Sequence, residues 1–331
     1  MGSAVMDTLF AKARAFNRCM ALPETDDDRI LLAARKAKDM GIIQPVLLGD
    51  PEELKTRAAG LGITLDDIEI FNSTDEALIE QIANDYFAVN QDFSVKSLIR
   101  KMKDRINMAT IMLGAGRVDC MMAGINHATA DVVLAGQMYI GPQDGINTIS
   151  SVGVMDIPGW QGSEGNLLAF SDAAVNADPD SSELADIAIT TADTIHRLFG
   201  WEPRVALLSF STKGSTEHAQ VDKVRAALAI CRERRPDLKI DGEFQLDSAI
   251  VPKVAAKKVK EPSDVAGQAN IIIYPNLSAG NIGVKLVQIF GNANAYGPML
   301  QGFARSIGDF SRSAPVDEMV GNMAMVALNV E

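Results

Sequence analysis

A chain of 331 residues, 47% hydrophobic and 22% charged, suits one large or two medium domains with a substantial core. No apolar run approaches the roughly 20 residues of a membrane helix, and residues 1–10 lack the basic-then-apolar pattern of a signal peptide. Cys19, Cys120 and Cys231 lie far apart with no CxxC, so a reducing cytoplasm is expected, with neither a disulfide framework nor a zinc site. The formal net charge of −12 argues against nucleic acid as a partner but leaves room for a small anionic substrate where basic groups gather.

Residues 7–17 read as a helix, and Arg18–Leu22 as a short strand ending at Pro23-Glu24. Asp26–Asp28 precede an amphipathic helix from Arg29 to Met40, with acids at its start and Gly41 at its end. Gln44–Leu48 is an apolar strand, Pro51 opens the next helix, and Ile68–Phe71 is another strand before a long helical, polar stretch. Strands alternating with helices of this length predict a parallel sheet with crossover helices. Asp104–Leu113 is helical, and Val118–Gly124 is a strand running into a small-residue turn. Next come Asn126, His127, Thr129 and Asp131; a helix would bring His127 and Asp131, four apart, to one face. A lone histidine beside a helix start is also a common capping or core-satisfying group, so this loop reads as pocket lining.

From about residue 146 the texture changes, and a domain boundary is placed near residue 148. Ile149–Asp156 and Gly165–Ser171 are strand-like, and a strong helix beginning at Asp178 ends near Phe199-Gly200. Two later junctions carry more chemistry. The buried strand Arg204–Phe210 runs into Ser211-Thr212-Lys213-Gly214-Ser215 and a helix from about Glu217. The second, Ile271–Tyr274, runs into a loop, Pro275-Asn-Leu-Ser-Ala-Gly-Asn281, and another helix. In an open parallel sheet such loops share the rim at the carboxyl ends of the strands, where ligands bind. Their small residues would let backbone N–H groups approach an anion, to which Lys213 would add a positive charge. Either loop alone could be plain turn chemistry; neither is a Walker A loop, because Lys213 precedes its glycine.

The stretch 297–320 gathers Asp309, Ser311, Arg312, Asp317 and Glu318 within an otherwise apolar passage. Ser311-Arg312 pairs a hydroxyl with a planar cationic fork suited to phosphate or carboxylate. Pro315 near a first helical position and the acids after it predict a helix start there. Arg312 and an acid could equally form a structural ion pair; the two rim loops tip the reading towards an anion site.

These residues resemble the phosphate acetyltransferase (phosphotransacetylase) and phosphate butyryltransferase family. The resemblance is carried by Ser209–Ser215 with Asp222-Lys-Val, by Asp241–Asp247, Pro275–Asn281, Gly297–Gly302 and Asp309-Phe-Ser-Arg312, and by Arg29–Ala34 and Asp172–Asn176. It implies an isocitrate/isopropylmalate dehydrogenase-like α/β fold: two α/β domains with mainly parallel sheets and an interdomain active-site cleft. The first domain would hold residues 1–148 plus about 314–331, the second 149–313, in a homodimer. It implies the reversible reaction of acetyl-CoA and inorganic phosphate to acetyl phosphate and CoA, with no metal or other cofactor and CoA as substrate. The Ser-Arg pair of the family maps onto Ser311 and Arg312, and its carboxylate base onto Glu318, with Asp317 beside it; position alone does not say which faces the thiol. Ser211, Thr212, Lys213, Gly214, Ser215, Asn281, Lys285, Asn126, His127, Thr129, Arg305 and Asp309 would line the substrate site.

Departures from the family pattern also stand in the chain. The usual aspartate base is Glu318, an arginine three residues after Asp131 is Leu134, a common cysteine is Ala173, a lysine-proline is Arg305-Ser306, and a tyrosine before Lys285 is Val284. Propionyl or butyryl transfer, and non-catalytic acyl-CoA binding, are therefore alternatives. A nicotinamide-dependent dehydrogenase is disfavoured because no GxGxxG follows an early strand.

Overall fold

The computed structural model describes residues 4–330, with side chains from residue 6 onward; the first three residues of the segment read against a signal peptide lie outside it. The chain forms two compact units, residues 1–143 with 303–331, and residues 144–302.

The first unit opens with α1 (Ala4–Phe16), β1 (Arg18–Leu22), α2 (Asp28–Asp39), β2 (Ile43–Gly49), α3 (Pro51–Gly60) and β3 (Glu69–Asn72). It continues with α4 (Glu76–Val89), α5 (Val95–Lys101), α6 (Arg105–Gly114), β4 (Cys120–Ala123) and α7 (Thr129–Tyr139). The second unit contains β5 (Ser150–Asp156), β6 (Leu167–Ser171), α8 (Ser181–Phe199), β7 (Arg204–Leu208), α9 (Ala219–Arg234) and β8 (Lys239–Phe244). After these come α10 (Leu246–Ile250), α11 (Pro252–Lys258), β9 (Ile271–Ile273), α12 (Leu277–Phe290) and β10 (Asn294–Gln301). The chain then completes the first unit with β11 (Ser306–Asp309) and α13 (Val316–Leu328).

The helix starts follow from short polar side chains. The carboxylates of Asp27, Asp50 and Asp75 accept the first free N–H groups of α2, α3 and α4, and Asp180 caps α8 in a reciprocal box with Glu183. In α2 the buried positions Ile30, Leu31, Ala33, Ala34 and Ala37 form one face, as helical periodicity requires. By contrast α13 is buried throughout Met319–Leu328, packs on α1, α2 and β11, and forms the centre of its unit.

In the first unit the strand order is β3-β2-β1-β4-β11, every pair parallel. In the second it is β10-β5-β6-β9-β7-β8; β5 is antiparallel to both neighbours and the remaining pairs are parallel. Strands covered on both faces read as continuous apolar runs, as Ile271-Ile-Ile273 does. The first unit regains the chain at Phe303, ahead of the return near 314 that the sequence suggested. The physical cause is β11, whose Ser306–Asp309 pair in register with Cys120–Ala123 of β4.

Candidate active site

The parallel register brings the carboxyl ends of β1, β4 and β11 to one rim, since Met20 aligns with Cys120 and Ser306 with the same residue. Three loops leave that rim, 23–27, 124–128 and 310–315, as expected for a ligand site on an open parallel sheet. Asp309 closes β11 and is buried; the Thr129 hydroxyl, at the start of α7, donates to its Oδ2. Gly124 makes room for it: at φ +106° a Cβ there would lie 2.0 Å from Asp309 Oδ1. Burial pushes the Asp309 carboxyl up to about 6; the Thr129 hydrogen bond and Arg312 oppose the shift, and the charge of Glu24 adds to it.

Glu24, unremarked in the sequence beyond the end of a strand, organises the second loop. Its buried carboxylate accepts the N–H groups of Ile125, Asn126 and His127 at 2.8, 2.9 and 3.0 Å, and meets His127 Nδ1 at 2.8 Å. The only advance signal was an acid placed directly after an apolar strand. His127 and Asp131 do not share a helix face, because α7 begins at Thr129 and Asp131 accepts the Ala128 N–H instead. Leu134 is 57% exposed and offers no charge.

After β11, Arg29 fixes the backbone of the Ser-Arg turn, donating to the carbonyls of Arg312 at 2.9 Å and Ala314 at 3.2 Å. The exposed Arg312 guanidinium has no hydrogen-bond or ion-pair partner among the described residues. Ser311 Oγ lies 3.2 Å from Ser313 Oγ. The two acids in the first turn of α13 differ sharply. Asp317 is 80% exposed and engaged by Lys36 at 2.6 Å, whereas Glu318 is half-buried, without a hydrogen-bond partner among the described residues, and burial raises its carboxyl above the usual range. Neighbours about 100° apart on a helix meet different surroundings. Arg305, expected at the site, lies just before β11, at the strand end opposite Ser311 and Arg312.

In the second unit the 211–215 loop departs from expectation. Its donors turn inward onto carboxylates of the neighbouring strand β8. Glu243 accepts from Ser211 Oγ at 2.7 Å, the Gly214 N–H at 2.8 Å and Arg225 Nε at 3.0 Å. Burial alone would raise the Glu243 carboxyl, but Arg225, the Gly214 N–H and the Ser211 hydroxyl hold it down at about 2. Lys213 donates to Asp241 at 2.5 Å and to the Gly242 carbonyl at 2.9 Å, so its charge is compensated inside the fold. Thr212 is buried, its N–H held by Ser215 Oγ at 3.1 Å. The sequence signal, glycine beside small and basic residues, is the same whether the bound anion is a ligand or the protein's own carboxylate.

The segment read as a second anion loop is mostly helix. α12 starts at Leu277, capped by the Asn276 side chain on the Ala279 N–H at 3.0 Å, so Asn281 sits on the helix and donates to the Ala173 carbonyl at 3.2 Å. Lys285, one turn on, is exposed and unpaired among the described residues.

Comparison with known proteins agrees with this frame. Residues 4–327 match the family model described as phosphate acetyl/butaryl transferase. A phosphate acetyltransferase of Clostridium acetobutylicum is 39% identical over 329 residues, spanning 99% of this chain and 98% of the relative. The solved EutD phosphotransacetylase of Staphylococcus aureus superposes with a TM-score of 0.90 at 30% identity, covering 99% of this chain and 98% of its own. A 4-hydroxythreonine-4-phosphate dehydrogenase of Klebsiella pneumoniae, 11% identical, superposes with a TM-score of 0.54 over 95% of this chain and all (100%) of its own, which places the fold among dehydrogenase-like α/β proteins. The described part of the chain, its parallel sheets and its match over nearly the full length lead to one conclusion: this protein belongs to the phosphate acetyl/butaryl transferase family.

Proposed function

We propose that the protein is a phosphate acetyltransferase, exchanging an acetyl group between CoA and inorganic phosphate. The observation that carries this reading is the rim of the first unit, where a free guanidinium, a hydroxyl and a half-buried carboxyl are supplied by Arg312, Ser311 and Glu318. Glu318 takes the CoA thiol proton, because the thiolate and not the thiol is the nucleophile. The thiolate attacks the acetyl phosphate carbonyl, Arg312 holds the phosphoryl oxygens in a bidentate grip, and the Ser311 hydroxyl donates to the developing oxyanion. Lys213 and its loop act as scaffold in this reading, since Glu243 and Asp241 already occupy their donors.

The test is CoA-dependent phosphate release from acetyl, propionyl and butyryl phosphate by the wild-type protein. Acetyl phosphate is expected to give the highest kcat/KM. Preference for a longer chain would reassign the acyl group, and no release from any of the three would end the enzyme reading.

The partner in this proposal is a second copy of the chain, in the cytoplasm. Ile282, Leu286, Ile289 and Phe290 are 59%, 49%, 73% and 82% exposed and lie along one stripe of α12 at helical spacing. A contiguous exposed apolar stripe of this kind suits an isologous contact. Light scattering is expected to give about 71 kDa, twice the 35.5 kDa chain, and Ile289→Lys with Phe290→Lys to halve it. A monomeric wild type would refute the dimer.

A further inference from the structure

Transfer from acetyl phosphate has a second proton requirement that Glu318 does not meet. Expulsion of phosphate leaves the C–O electron pair on the bridging oxygen, and a fully deprotonated phosphate is a poor leaving group unless that oxygen gains a proton. A group that takes the thiol proton on one side does not by itself supply one on the other, and general acid–base catalysis of such a step contributes about 100- to 10,000-fold.

The loop after β4 holds an imidazole arranged for this task. His127 Nδ1 lies 2.8 Å from Glu24, whose side chain is 1% exposed, while the histidine side chain is 41% exposed. An ionised carboxylate only accepts, so Nδ1 bears the hydrogen and Nε2 remains as the atom able to receive or deliver a proton. Nε2 has no partner among the described residues. Glu24 is itself immobilised by three consecutive backbone N–H groups, which fixes the ring plane. This is the arrangement of an orienting acid behind a working base. Its position is also set. Two residues on, Thr129 is tied to Asp309, and Ser311-Arg312 begins two residues beyond Asp309 on the same rim. Of the charged groups of this rim, Glu24 contacts the ring itself, Asp131 accepts the Ala128 N–H, and Asp309 is tied to Thr129 and feels the charges of Glu24 and Arg312.

We propose that His127, oriented by Glu24, is the general acid that protonates the departing phosphate, and the base that takes a proton from phosphate in the reverse direction. The inference rests on the acyltransferase reading above. The balance is complete. The thiol proton passes to Glu318, the C–S bond forms, and the C–O bond breaks with its electron pair on phosphate. His127 Nε2–H then gives its proton to that oxygen. The products are acetyl-CoA and monohydrogen phosphate; solvent returns the proton from Glu318 to His127. His127 is the catalytic residue here and Glu24 its positioning residue.

The test is the pH profile of kcat/KM for acetyl phosphate. A general acid must be protonated, so wild-type activity should fall on the alkaline side. His127→Gln is expected to lower kcat/KM by about 100-fold or more, to abolish that alkaline limb, and to leave the melting temperature unchanged. Glu24→Gln frees the ring from its orienting carboxylate, so kcat is expected to fall while KM for acetyl phosphate holds. His127→Gln with kcat/KM within about twofold of wild type and an intact alkaline limb would overturn the assignment. It would do so while the wild type still releases phosphate, so the acyltransferase reading would survive. A wild type that releases none sinks both.

Discussion

Replacing Arg312 with alanine should lower kcat/KM for acetyl phosphate by about a hundredfold or more, with no loss of melting temperature. The first half follows from chemistry: one preorganised donor at a site of developing charge commonly contributes about 3 kcal/mol to the transition state. The second half follows from the structure. The Arg312 guanidinium supports nothing in the fold, having no partner among the described residues. What the turn needs from residue 312 is its carbonyl, held by Arg29, and alanine keeps that carbonyl. Removing an exposed, unpaired charge from such a surface normally changes stability by less than about 0.5 kcal/mol. Arg312→Lys separates charge from shape, because lysine keeps the positive charge and loses the planar fork, so an intermediate defect is expected. Unchanged turnover in Arg312→Ala, measured by phosphate release with the melting temperature in parallel, would remove Arg312 from the chemistry.

The strands and helices were legible because their signals are local. Asp27, Asp50 and Pro51 mark helix starts, and Gly200 ends α8 in the left-handed conformation glycine adopts freely. The rim of the second unit was less legible, for a physical reason. A loop rich in serine, glycine and lysine serves any anion, and here Asp241 and Glu243 on β8 are the anions. The spacing of about 30 residues between loop and carboxylates hides that pairing from a linear reading. Asn281 was misplaced into a loop because Asn276 caps the helix earlier than the glycine pattern suggested. Glu24 left almost no trace, since nothing local distinguishes a rim carboxylate that will collect three N–H groups 101 to 103 residues away.

The choice between Asp317 and Glu318 depends on surroundings rather than spacing, and it yields the second large effect. Glu318→Gln is expected to lower kcat by a factor of about 100 to 10,000, the usual worth of a positioned base, while Asp317→Asn stays within about threefold of wild type. Asp317 already shares its charge with Lys36 on the exposed side of α13, a pair that contributes at most about 1 kcal/mol to stability. Glu318 is half-buried, and that burial raises its pKa, as suits a group that must take a proton. The pH dependence has a definite sign. A base works ionised, so wild-type activity should fall as pH drops through the raised Glu318 pKa, and Asp317→Asn should keep that acid limb in place. Stability runs the other way. A carboxyl whose folded pKa lies above its unfolded value stabilises the fold while protonated, below the unfolded pKa, and loses that contribution as pH rises through the folded one. At neutral pH an ionised Glu318 is therefore a burden on the fold, and Glu318→Gln should melt at the same temperature or higher while losing its activity. Loss of turnover in Asp317→Asn with Glu318→Gln unaffected would move the base by one residue. Loss in both, with lowered melting temperatures, would mark the first turn of α13 as structural and leave the thiol proton to another group.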